Sequence, residues 1–215
     1  DPAFSVISET ESKRYYEEAF DSVIKRIQES DDTALKGFVS SLDVYSQGPA
    51  SPSIETWVRK ITSRALALPE GFDAVVVPEV EGDPSALMRQ MVELGETFIS
   101  CLEGLPKPGK TDAKNHEATT KALEVANKYL LEYGGCTSFE DPNFEAARFV
   151  EAFFSFPKTS PKYHVKESDP TFFAEYRDAY AFAAGQVEAA FSARDVQALL
   201  RIARAVDEEY QCLKG

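Results

Sequence analysis

Apolar residues recur at spacings of three and four in one segment after another of this chain, and that periodicity restricts the fold more than any other feature. Tyr16, Phe20, Val23 and Ile27 fall on one helical face. Leu35, Phe38, Val39 and Leu42 continue on a second, shorter helix. Ile54, Trp57, Val58, Ile61, Ala65 and Leu68 form another stripe, beyond the turn-rich residues 46–52. Leu87, Met91, Leu94, Phe98 and Leu102 hold helical spacing over several turns. Ala122, Leu123, Ala126 and Leu130 follow in a helix from about Asp112 to Tyr133, closed by Gly134-Gly135. Phe144, Phe149, Val150 and Phe153 mark a sixth helix. Phe173, Tyr176, Tyr180, Ala184, Val187 and Phe191 mark a seventh, and an eighth opens at Asp195 with Val196, Leu199, Leu200, Ala203, Val206 and Tyr210.

The starts of these segments carry chemistry suited to helix N-termini. Ser8 and Glu11 have the spacing of a capping box. Asp83-Pro84, Asp141-Pro142 and Asp169-Pro170 each set an acceptor before a proline. The aspartate accepts from an orphan amide, and proline at the first helical position has no amide to orphan. Strand signals are sparse. Phe72–Val77 is rich in valine between Pro69 and Pro78, and Phe4–Ile7 is weaker. Two short strands do not make a self-sufficient sheet, so an extended connector, or at most a small ribbon, is expected. The chain therefore reads as an all-α, irregular bundle of about eight helices in a single domain, residues 1–215. The best candidate for a boundary lies near 157–169. Helix should cover roughly two thirds of it. A faint echo between Tyr16–Phe20 and Tyr176–Tyr180 has no regular period behind it, so a solenoid is not supported.

Composition narrows the partners. A net charge of −13 repels phosphate backbones, so nucleic acid is not an expected ligand, and basic proteins or cations are the more natural partners. No apolar run approaches the roughly 18 residues of a membrane span. The three cysteines, Cys101, Cys136 and Cys212, form no CxxC pair and no disulfide framework. Cys101 sits beside Phe98 and Leu102 and is expected in the core. A bridge between Cys136 and Cys212 stays open. The absence of an N-x-S/T sequon favours a cytoplasmic over a secreted setting.

Gly104-Leu105-Pro106-Lys107-Pro108-Gly109-Lys110-Thr111 satisfies the phosphate-loop pattern, in which Gly104, Gly109, Lys110 and Thr111 would bind nucleotide. Context argues against it. Pro108 deletes an amide from the turn, the preceding residues keep helical spacing, and no run of strands follows. The expected structure is a proline-stiffened loop between two helices, with Thr111 or Asp112 as an N-cap. His116 and His164 stand in no metal-ligand spacing, and neither a metal nor another cofactor is expected.

Charge is uneven. Glu70, Asp73, Glu79, Glu81 and Asp83 fall in one stretch without a base. Lys158, Lys162, Tyr163, His164 and Lys166 fall in another without an acid, and form a candidate docking surface. Phe153-Phe154 and Phe172-Phe173 each point to two faces of a helix. They imply either burial on both sides or a groove. The function expected from these features is non-enzymatic: binding another protein through aromatic and charged surface. A carrier of a small apolar ligand between helices is the second reading, and a nucleotide-binding enzyme the third.

Overall fold

In the computed structural model, residues 8–45, 53–159 and 170–215 are described, with side chains from 174 onward in the last stretch. They form seven α-helices and no strand: α1 (Glu9–Glu29), α2 (Thr33–Ser41), α3 (Ile54–Ala65), α4 (Pro84–Glu103), α5 (Lys110–Tyr133), α6 (Ala146–Phe153) and α7 (Pro170–Lys214). A single 3₁₀ turn, Gly71–Ala74, follows α3. The all-α expectation is met, with one helix fewer than expected. The seventh and eighth predicted helices are one continuous α7 of 45 residues. Ser192-Ala193-Arg194-Asp195 contains neither proline nor glycine, so nothing there stops a helix, and Asp195 lies within α7 rather than at a start. No helix among the described residues is long and apolar enough to cross a membrane.

The caps divide. Ser8 and Glu11 form the expected box: Glu11 N–H donates to Ser8 Oγ, and Ser8 N–H to Glu11 Oε2. Asp83 caps α4 through Ala86 N–H at 2.9 Å. Asp141 does not cap a helix. Its Oδ1 accepts from Asn143 N–H at 2.8 Å, closing a turn, and α6 begins later, after Glu145. Phe144, buried within the aromatic core, takes the chain off a helical path between the two. Asp169 lies outside the described residues, as does Phe4–Ile7, while α7 opens at Pro170.

Two compact units are present. The first comprises Asp1–Glu79 and Ala193–Gly215. Its core joins Phe20, Val23, Ile24 and Ile27 of α1 to Leu35 and Val39 of α2, Ile54 and Val58 of α3, and Ile202 and Val206 of α7. Polar contacts frame it: Ser12 Oγ lies 2.7 Å from Tyr210 Oη, and Arg26 pairs with Glu209 at 3.2 Å.

The second unit is Val80–Ser192. Met88 and Met91 of α4 and Ala122 and Ala126 of α5 pack against a cluster of rings. Phe139 meets Phe144 and Phe149 edge-on at 5.2 and 5.5 Å, and Phe149 stacks on Phe153 at 5.6 Å. Such geometries suit the ring quadrupole. The aromatic run Phe149, Phe153 and Phe156 is therefore core, with all three rings fully buried. Phe172 and Phe173 have side chains outside the described residues. Gly95 sits where α4, α5 and Phe156 converge. A Cβ there would lie 2.8 Å from the Phe156 ring and 3.1 Å from Leu123.

Candidate functional site

The first unit carries an open groove of about 380 Å³, lined by Phe72, Val75, Val77, Gln197, Leu200, Arg201 and Arg204. One wall is the chain after α3. Gly71 N–H bonds Leu68 O, and Gly71 adopts a φ of +60°, which a side chain disfavours, so glycine turns the chain at this point. The 3₁₀ turn follows, and Val75 leaves it in an extended conformation. From there the side chains alternate as in a strand: Val75 and Val77 line the groove, and Val76 projects into solvent at 88% exposure.

The other wall is one face of α7. Gln197, Leu200, Arg201 and Arg204 stand at i, i+3, i+4 and i+7 and so share a stripe. The opposite, buried stripe of this segment carries Ile202, Ala203 and Val206. Side chains of α7 hold the extended wall in place. Gln197 Nε2 donates to Pro78 O at 2.9 Å, and Arg204 donates to Phe72 O at 3.1 Å. The Arg204 guanidinium also lies 6.0 Å from the Phe72 ring centroid.

Both arginines have acidic partners outside the lining. Arg201 donates to Asp32 Oδ2 at 2.7 Å, and Arg204 lies 3.4 Å from Asp73 Oδ1. Asp32 is the N-cap of α2. The Leu35 amide, aided by Arg201, holds its carboxyl below the usual carboxylate range, against the opposing effect of partial burial. Asp73 is 84% exposed, so its pair with Arg204 is solvated and weak. A guanidinium has five donors. Among the described residues Arg201 spends one on Asp32 and Arg204 one on Phe72, and both side chains line the groove. The arrangement offers apolar contact beside cationic hydrogen-bond donors.

Of the sequence-predicted docking residues, one falls among the described residues. Lys158 is exposed, with its Nζ 5.7 Å from the Phe154 ring centroid. Lys162, Tyr163, His164 and Lys166 lie outside the described residues. Gly104 to Gly109 connect α4 to α5, with Lys110 and Thr111 in the first turn of α5, so a helix precedes the loop where a phosphate loop has a strand. Gly109, not Thr111 or Asp112, is the N-cap of α5. Asp112 acts from the third helical position, accepting from Gly109 N–H at 2.6 Å. Its carboxylate takes up the Gly109 amide and puts a negative charge at this helix start, where a phosphate would meet repulsion. His116 Nε2 lies 3.2 Å from Glu103 Oε1 on the surface. Among the described residues, no three His, Cys, Asp or Glu side chains gather as a metal site would require.

Of the cysteines, Cys101 departs from expectation. Cys101 is half-buried rather than in the core, at the margin of the stripe that buries Phe98 and Leu102. Cys136 is the buried thiol, and burial pushes its pKa up. Its carbonyl accepts from the buried Ser85 hydroxyl at 2.7 Å. Cys212 is exposed, and no disulfide joins it to Cys136.

The groove leaves no apolar stripe of its own on α7. The signal present was the polar one, Gln197-x-x-Leu200-Arg201-x-x-Arg204, opposite the buried face. The sequence matches no protein-family model and no curated protein.

Proposed function

We propose that the chain is a non-enzymatic binding module that recognises another protein through aromatic and charged surface, with the groove between Phe72–Val77 and α7 as its recognition face. The observation that carries this reading is the Val75–Val77 segment. It is apolar and leaves the 3₁₀ turn extended at Val75, with Val76 88% and Val77 52% exposed. Neither backbone polar group of Val76 makes a hydrogen bond among the described residues. A segment in that state has backbone groups free for main-chain pairing with a partner, as an exposed strand edge does. Phe72, Arg201 and Arg204 supply the aromatic and charged surface beside it.

A carrier of a small apolar ligand is served best by an enclosed cavity that buries most of the ligand. This groove is open along one side and edged by two guanidiniums, which favours the protein partner. Native mass spectrometry of the chain purified from its source tests the reading. A partner protein retained by the wild-type chain and lost with Val77→Lys is the expected result. A co-purified apolar molecule with no protein, or a partner indifferent to that substitution, would contradict it. Val77 is already half exposed, so the lysine should leave the melting temperature within a degree or so, an effect on the order of 0.5 kcal/mol or less.

A further inference from the structure

Resting on the reading of this groove as a recognition face, we infer that its occupant is an extended peptide segment of a partner protein, carrying an acidic side chain two residues from an apolar one. Three observations set that chemistry. The first is the wall. In an extended chain the N–H and C=O of one residue point to the same edge, so Val76 offers a donor and an acceptor together, with neighbours Val75 and Val77 facing the groove. An incoming strand satisfies both groups while laying alternate side chains over the lining. The body of a helix presents no free backbone groups to them.

The second is the charge of the lining. Its only ionisable side chains are Arg201 and Arg204, adjacent on one face of α7 at i and i+3. Asp32 and Asp73, which pair with them, are not part of the lining. A carboxylate arriving from the groove side meets two guanidiniums whose remaining donors suit bidentate contact. At Arg204 it meets the loose, solvent-exposed Asp73 and the Phe72 carbonyl, and it leaves the Arg201–Asp32 bond in place. The net charge of −13 opposes an acidic partner at long range, but at physiological salt that repulsion is screened over about 8 Å. Contact-range arginines therefore decide the sign of the preferred side chain.

The third is spacing. Phe72, Val75, Val77 and Leu200 form the apolar part of the lining, and the arginines lie further along the same helical stripe. Side chains that share a face of an extended peptide are two residues apart. An apolar residue on the valines and an acidic one two positions on therefore reach the two parts together. The groove's size, about 380 Å³, holds a few side chains rather than a folded surface.

Peptide display on the immobilised full chain, counter-selected on Val77→Lys, tests this. Selected peptides are then synthesised with a dye and measured by fluorescence anisotropy. Groove-dependent peptides should be enriched in an apolar-x-acidic pattern. Their affinity should fall about tenfold or more with Arg201→Gln/Arg204→Gln, since each lost charge-assisted contact costs on the order of one decade. Exchanging the peptide's acid for its amide should cost a similar factor, and methylating the backbone nitrogen opposite Val76 should also weaken binding. Circular dichroism of the double variant controls for folding, and because Arg204 also holds Phe72 O, Arg201→Gln alone, which leaves that wall contact in place, should weaken the same peptides. Groove-dependent peptides that are basic, or indifferent to the arginine pair, would overturn the acidic partner and leave the recognition face standing. Selected peptides that bind Val77→Lys as well as wild type would overturn both. Octanoate raising the melting temperature in an Arg204-dependent way, with no peptide enriched, would assign the groove to a small amphiphile and sink the peptide.

Discussion

Asp83 and Asp141 stand in the same dipeptide, yet only Asp83 meets a helix amide, that of Ala86. The difference can be measured. Asp83→Ala should cost about 1 kcal/mol of stability in urea unfolding, as for other N-cap losses. Asp141→Ala removes a turn contact to Asn143 and should cost less. Equal losses would mean that turn and cap hold their segments equally well. Asp32 makes a pH prediction. Its folded pKa is depressed, so its contribution is present above the unfolded value of roughly 4 and is lost as pH falls through the lower, folded value. Asp32→Asn keeps a good N-cap but removes the charge. The gap in urea midpoint between wild type and variant should therefore be widest near neutral pH and close below about pH 4.

Helix-scale packing turns on Gly95. Glycine within α4 costs roughly 1 kcal/mol of helix propensity against alanine. Gly95→Ala would nonetheless push a Cβ to 2.8 Å from the Phe156 ring and 3.1 Å from Leu123. Overpacking in a filled core costs about 1–3 kcal/mol, so the clash should win and the variant should melt lower. Phe156 is fully buried and has little freedom to yield. A double variant, Gly95→Ala with Phe156→Leu, should lose less than the two single effects combined, because the shorter side chain gives way to the methyl. Simple additivity would show that Phe156 is not what Gly95 accommodates.

For the whole molecule, the three thiols report on opening. Cys212 is exposed, Cys101 half-buried and Cys136 buried with a raised pKa. Labelling of the native chain with a thiol reagent, followed by mass spectrometry, should modify Cys212 first, Cys101 next and Cys136 last. Access to Cys136 requires the second unit to open, so its rate should rise with urea well below the global midpoint only if that unit opens locally. Rapid labelling of Cys136 under native conditions would show that the Ser85-anchored turn at Gly134-Gly135 is open to reagent.

The periodicity of Phe20, Val23 and Ile27, or of Met91, Phe98 and Leu102, determined helix class and buried face without help from tertiary contacts. An amphipathic stripe has only one way to leave water. Caps were legible where side chain and amide are near in sequence, as at Ser8, Glu11 and Asp83. The sequence could not show that Asp141 closes a turn, because that depends on Phe144 finding Phe139 and Phe149. Nor could it show that α7 runs through Asp195, since a capping residue does not by itself break a helix. The phosphate-loop string read identically in either context. What separates the two structures is a preceding helix or strand, together with the contact from Gly109 to Asp112. The groove was least legible of all. It exists because Gln197 and Arg204 hold Pro78 and Phe72 from more than a hundred residues away, and a contact at that separation has no local signature.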